Sequence, residues 1–350
     1  MKIKNNLFAP FVVLIICLSI HAQSHQNSAN QKHNFEGIVR TLVFEDEKGS
    51  NRHFLDTGNE YIEIALEDGK FTNAKVSITG KLNFENIIIP EKIKVLAAHS
   101  TVSAIPVSGS RKVLVLLLNY QNDTSEPASI AQIRNKIFTD VTSPNQYFQQ
   151  LSGNRLRLSG IQSPEGDVFG YFTLPFNTDY CDNRTIIVKC QAAADNLALN
   201  SGINVNSYQS VIYLFSRDNP NGNLVFADLG VISDQTTTQR IYFMNPFSDF
   251  NNSQFQYSVT HEIGHNLGLN HVSGFRNCSI NVPIEDCTDY IEYADRSDVM
   301  GYFGYHLLSN YHRLRLGWLG GKSAPTNLWE FITLICILQA THRKKLHLFK

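Results

Sequence analysis

The chain has 350 residues, with 30 Lys+Arg against 31 Asp+Glu and a formal net charge of -1, and its sequence pI is near 6.9. That balance gives no long-range attraction for a polyanion, which argues against nucleic acid as a partner. With 43% hydrophobic residues, 17% charged residues and 6 Cys, the chain is too apolar for a disordered scaffold and too poor in Cys for a disulfide-dense miniprotein.

Lys2 and Lys4 precede an apolar run from Leu7 to Ile20, and Ala22, Gln23 and Ser24 follow. This is the layout of a secretory signal peptide, so residues 1–22 are expected to be removed and the rest to be secreted. The run is short for a bilayer span, and no stable membrane span is expected elsewhere. Cys17 follows Ile16 instead of a small residue, which argues against lipoprotein processing there. Beyond it, Cys181 with Cys190 and Cys278 with Cys287 form close pairs. Neither pair has C-x-x-C-like zinc spacing, and both suit short disulfide-closed loops in an oxidising compartment. Cys336 is left over.

From about residue 35 to 105, short runs such as Gly37 to Val43 and Tyr61 to Leu66 alternate apolar and polar positions, with turn signals at Asp68-Gly69 and Thr79-Gly80. Residues 23–107 therefore read as a small all-β domain, a sandwich or barrel, with a Ser-, Val- and Ala-rich linker that begins at His99. Residues 108–322 have a different texture. Lys112 to Leu118 is a continuous apolar run, as in a strand buried on both faces. A helical pattern over Ser129 to Leu151 is interrupted near Pro144. Strands are expected at Arg155 to Leu158, Phe169 to Leu174, Val211 to Phe215 and Arg240 to Phe243, with helices over Thr185 to Leu199 and Tyr305 to Trp318. Interleaved helices and strands make this an α/β (α+β) domain with a mixed sheet. Residues 323–350 read as the start of a C-terminal β domain that the chain does not complete.

One segment carries chemistry: His261-Glu262-Ile263-Gly264-His265-Asn266-Leu267-Gly268-Leu269-Asn270-His271. On a helix, His261 and His265 project from one face and can grip one cation, while Val259, Ile263 and Leu267 form a packing stripe on another. Glu262 lies beside the cation without ligating it, placed to take a proton from a water. Gly268 allows a positive φ through which the chain swings back and presents His271. Three neutral nitrogens leave a fourth position open, the arrangement of a catalytic Zn2+.

At these residues the sequence resembles the metzincin metallopeptidases, whose zinc motif is HExxHxxGxxH. The resemblance implies a metzincin-type fold with an active-site helix, and a Met-containing turn beneath the zinc that Asp298-Val299-Met300-Gly301-Tyr302 fits. Among metzincins the gametolysin-like peptidases match best. The matching stretches are Val299-Met300-Gly301, Tyr311 to Trp318, Tyr147 to Gly153 and Tyr171 to Pro175. Val272 follows the third His, where astacin-like enzymes carry Glu, matrixins Ser, adamalysins Asp and serralysins Pro. Tyr302 resembles the tyrosine that astacins and serralysins use to stabilise the oxyanion; the other reading is a tyrosine packed in the turn. With no Cys between Gln23 and Tyr180, a cysteine switch by the N-terminal region is excluded. That region is either an inhibitory propeptide acting by other means or an attached accessory domain.

Asp286, Asp289, Glu292, Asp295 and Asp298 can either hold Ca2+ or form a solvated acidic loop, and the second reading is favoured. Arg240 to Phe243 is the candidate edge strand on which an extended peptide would lie by β-augmentation. The combined expectation is a secreted, monomeric zinc metalloendopeptidase that hydrolyses extracellular proteins, such as matrix or cell-wall glycoproteins, by Glu262-assisted attack of a zinc-bound water. The rival is a secreted adhesion or binding protein with a degenerate or truncated, inactive metallopeptidase domain. Retention of Glu262 with all three His argues against the rival, because binding alone has no use for a general base.

Overall fold

The computed structural model describes residues 32–44, 51–58, 60–67, 70–97, 107–181, 187–216, 225–231, 237–244, 247, 250, 253–275, 290–293, 295, 297–301 and 306–319. It divides into two compact units, Met1–Thr41 with Arg52–Ala98, and Leu42–Asn51 with His99–Lys350. Residues 1–22 and 323–350, Cys278, Cys287, Cys336 and Tyr302 lie outside the described residues.

In the first unit the regular elements among the described residues are all strands: β1 (His33–Phe44), β2 (Asn51–Asp56), β3 (Tyr61–Ile64), β4 (Lys75–Leu82) and β5 (Ile88–Ala97). Antiparallel pairs join β1 to β4, β4 to β5 and β2 to β3, and β3 meets β5 in parallel at Ile64 and Ile88. Because β2 also pairs with β1, the five strands close on themselves as a Greek-key barrel. Val39, Leu55, Ile64, Val76, Ile78 and Ile88 fill its interior. Thr79-Gly80, expected as a turn, lies inside β4. A register shift falls between these residues, and a Cβ on Gly80 would stand 2.4 Å from the Ile89 carbonyl oxygen. The glycine serves a close strand approach at a bulge, which a local reading cannot tell from a turn.

The second unit is built on β6 (Gly109–Tyr120). After it come helix α1 (Ile130–Arg134), a π-turn (Asn135–Thr139), α2 (Pro144–Ser152), β7 (Leu156–Ser159), β8 (Asp167–Leu174) and α3 (Ile187–Asn200). There follow β9 (Ser210–Phe215), β10 (Val225–Asp228), β11 (Gln239–Phe243), α4 (Ser253–Asn266), the short β12 (Gly274–Phe275) and β13 (Tyr290–Ile291), and α5 (Asn310–Arg315). Ser129 caps α1 in a capping box with Gln132. Ser143 caps α2, which opens on Pro144 and ends at Gly153 with φ 64°, so the interruption expected near Pro144 is present, a new helix beginning there with its own cap and proline.

Along one edge β6 pairs in parallel with β7 and β8, and along the other with β9. Beyond β9 lie β11, parallel, and β10, antiparallel to β11. Leu42 to Phe44, the end of β1 and already part of this second unit, pair antiparallel with β10. Arg240 to Phe243 is therefore not an edge strand: it lies between β9 and β10 and all five residues of β11 are buried. The four-residue β10 supplies the missing neighbour, and it is too short to show a period in the sequence.

The sheet is buried on both faces. Val113, Val115 and Leu117 share a core with Ile212, Leu214, Ile241 and Phe243, and with Phe148 of α2 and Phe255, Val259 and Ile263 of α4. On the other face Tyr213 and Tyr242 stack, and their hydroxyls donate to Asp195 and Gln191 of α3 at 2.6 Å each. Burial, together with the charge of Asp195, pushes the Tyr213 hydroxyl well above its ordinary pKa, so it stays a donor. Helix α5 is shorter than the expected Tyr305 to Trp318. Ser309 caps it, Leu307 is 64% exposed in a bridge to Asp298, and Gly317 leaves it at φ 73°.

Cys181 and Cys190 form the expected disulfide, which ties the first turns of α3 to the chain before it across a separation of 9 residues. Replacing both by Ala is expected to lower the unfolding free energy by about 2–3 kcal/mol from loop-closure entropy, read as an earlier urea midpoint at unchanged slope; an unmoved midpoint would refute it.

Candidate metal centre

Helix α4 is buried from Phe255 to Asn266 except at the half-buried Ser258. Phe255, Val259 and Ile263 recur every four residues and face the sheet core, so the opposite face is fixed in direction. Its C-terminal end is anchored by Asn266. The Asn266 amide donates to the Asp228 carbonyl at 2.9 Å and accepts from the Ser210 hydroxyl at 2.7 Å. Arg111, 3% exposed, donates to Ser210 and to the Asn266 carbonyl. A buried cation at a helix C-terminus complements the helix dipole and one of its open carbonyls. Neither Arg111 nor Asn266 was singled out from the sequence, although an arginine entering an otherwise apolar strand was the available signal.

Gly268 adopts φ 88°, and its N–H and that of Leu269 close back on the carbonyls of His265 and Gly264 at 2.8 and 3.0 Å. The chain then turns and brings His271 to the helix face. His265 Nε2 lies 3.1 Å from His261 Nε2 and 3.0 Å from His271 Nε2. On the far side of each ring stands an acceptor. His261 Nδ1 meets the Val299 carbonyl at 2.7 Å, His265 Nδ1 the Leu269 carbonyl at 2.8 Å, and His271 Nδ1 the Glu292 carboxylate at 2.6 Å. Acceptors there require a proton on each Nδ1, so in the neutral rings each Nε2 presents a lone pair.

Three lone pairs pointed at one another repel unless a cation lies between them. A tetrahedral zinc with nitrogens at about 2.0–2.1 Å spaces them about 3.3 Å apart, close to the separations found. The residues fit zinc. Among the described residues this triad is the one group of His, Cys, Asp or Glu gathered for a metal. Glu262, 1% exposed, adjoins His261 on the same helix.

Met300 lies beneath the helix, fully buried. A Cβ on Gly264 would stand 2.3 Å from its sulfur, so the glycine between the two helical histidines makes room for the Met300 side chain. The turn itself is pinned by Asp298, which accepts from the Met300 N–H at 2.8 Å, the Ser309 N–H at 2.8 Å and His312 Nδ1 at 2.9 Å. The Met300 carbonyl accepts from Val272 N–H at 2.9 Å, and thereby holds the chain beside His271.

Tyr302 lies outside the described residues. The aromatic residue found at the cluster is Tyr293, whose ring centroid is 4.1 Å from that of His271. Of the acidic residues considered for calcium, Asp286 and Asp289 lie outside the described residues. The others do not converge: Glu292 serves His271, Asp295 accepts from Ser297, and Asp298 is the buried brace of the Met turn. Calcium gains no support.

The sequence model of the Metallo-peptidase family M12B, Reprolysin-like, matches residues 110–307, more than half of the 350-residue chain. The chain belongs to this family. No curated protein matches it. Membership agrees with the metzincin resemblance and makes this reprolysin-like chain a metallopeptidase by family. The match spans β6, the sheet, the active-site helix and the Met turn as far as Leu307.

Gly264→Ala is expected to displace the Met300 side chain beneath the histidines and to lower zinc affinity, checked by chelator competition; unchanged affinity would count against the contact. Asp298 titrates below the ordinary carboxylate range: burial alone would raise it, but hydrogen bonds and charge from His312, with Ser309 and the Met300 N–H, outweigh that. A depressed folded value contributes stability above the unfolded pKa of about 3.9 that is lost as pH falls through the folded value. Wild-type Tm should therefore drop more steeply below about pH 4 than that of Asp298→Asn, which starts lower at neutral pH.

Proposed function

We propose that the chain is a secreted zinc-dependent endopeptidase, of the gametolysin-like kind among metzincins, acting as a monomer on extracellular proteins. The observation that carries this reading is the convergence of the His261, His265 and His271 ligand atoms within 4.8 Å of one another, His265 Nε2 lying 3.1 and 3.0 Å from the other two, with Glu262 buried on the same helix. Zinc bound there supplies Lewis acidity toward a peptide carbonyl and lowers the pKa of a water. Glu262 takes the proton of the attacking water and returns it to the departing amine. Tyr302 remains the proposed oxyanion donor from its position two residues after Met300.

Export is supported by the signal-peptide layout of residues 1–22 and by the Cys181–Cys190 disulfide. No helix among the described residues is long and apolar enough to cross a membrane. We assign 23–107 to a β-rich N-terminal domain and 108–322 to the catalytic domain. The N-terminal region acts either as an inhibitory propeptide or as an attached accessory domain, and cleavage before and after limited proteolysis separates the two.

The test is cleavage of an unfolded protein by the purified chain, before and after limited proteolysis, beside Glu262→Ala with bound zinc counted. We expect a loss of roughly 10²–10⁴-fold in rate at about one zinc per chain. Zinc bound by a wild-type chain that cleaves nothing in either form would favour the adhesion or binding protein instead.

A further inference from the structure

The three histidines are supported unequally. His261 and His265 sit on α4, whose helical backbone and packing restrict their rotamers, and each donates from Nδ1 to a backbone carbonyl. His271 lies beyond the helix in irregular chain and is supported by a side chain, Glu292 Oε1 at 2.6 Å. The pairing of Gly274 with Ile291 and Phe275 with Tyr290 brings Glu292 back across 21 residues of sequence. The next residue, Tyr293, adopts φ 61°, a conformation that tyrosine seldom takes. Its ring lies against His271, centroids 4.1 Å apart. Local backbone strain of this kind persists where surrounding structure imposes it, and it clusters at functional sites.

We propose that Glu292 is a positioning residue for the metal centre: by accepting the Nδ1 proton of His271 it fixes the tautomer and ring plane that turn Nε2 toward His261 and His265, with Tyr293 packing the ring in place. The carboxylate also makes the imidazole a more basic ligand. The proposal rests on the reading of the three histidines as zinc ligands. It adds a residue to which the zinc motif gives no clue, and assigns Glu292 away from any calcium loop.

The experiment measures zinc affinity of the full chain by competition with a chromophoric chelator, together with the d–d spectrum of the cobalt-substituted protein and the melting temperature of each metal-free form. Glu292→Ala removes the acceptor, and Glu292→Asp keeps the charge but is one methylene too short to hold it at bonding distance. Both should lose roughly 10–100-fold in affinity and alter the cobalt spectrum. Glu292→Gln keeps an acceptor oxygen at the same reach and should stay within a few-fold of wild type. Metal-free melting temperatures should agree across the series. Wild-type zinc binding with Glu292→Ala and Glu292→Asp unchanged overturns the proposal, as does Glu292→Gln falling as far as Ala, or affinity falling only in step with metal-free stability. Should Glu292→Ala not fold, the comparison of Gln with Asp decides. A wild-type chain that binds no zinc sinks instead the reading of the site itself.

Discussion

Three imidazole lone pairs gathered within 4.8 Å of one another are mutually repulsive, and a protein keeps them there only by supporting each ring from behind. The surrounding architecture follows from that constraint. The Leu269 carbonyl supports His265 because Gly268 turns the chain at the helix end; the Val299 carbonyl supports His261 because Asp298 holds the Met turn beneath it. Such supports behind the rings fix the direction in which each Nε2 points.

The sheet sets where this assembly stands. Strand β6 is buried on both faces, so its register with β8 and β9 cannot slip without moving large apolar side chains into the wrong layer. Asn266 and Arg111 transmit that rigidity to the end of α4, since they join the helix terminus to β6, β9 and β10. The histidine helix is thus tied at the end nearest its ligands.

Much of this was legible in the sequence because it is local. Helical spacing places His261 and His265 together, a glycine marks the exit of the chain, and the run from Lys112 to Leu118 announces a strand without a solvent face. What escaped depends on partners far away in sequence. The interior position of Arg240 to Phe243 is decided by β10, whose four residues carry no readable period. Gly80 looks like a turn residue until its neighbour Ile89 is seen 2.4 Å from where a Cβ would be. Glu292 and Asp298 read as members of one acidic stretch, yet one faces a histidine of the metal cluster and the other is sealed beneath it. Charge pattern alone cannot separate such roles, because the same residue type is used for solvation, bracing and ligand support.

The supports also differ in how far the chain must travel to make them. The acceptor for His265 is 4 residues away, that for His271 is 21 and that for His261 is 38. Loop closure costs more, though slowly more, as the intervening chain lengthens. The second helical histidine is therefore set as soon as the helix end forms, while the other two wait for the hairpin and the Met turn to arrive. Metal captured by the nascent cluster would favour closure of both loops, so the ion can act as a late clamp on folding as well as a reagent. The moment of metal loading and the moment of reaching a compact state would then coincide.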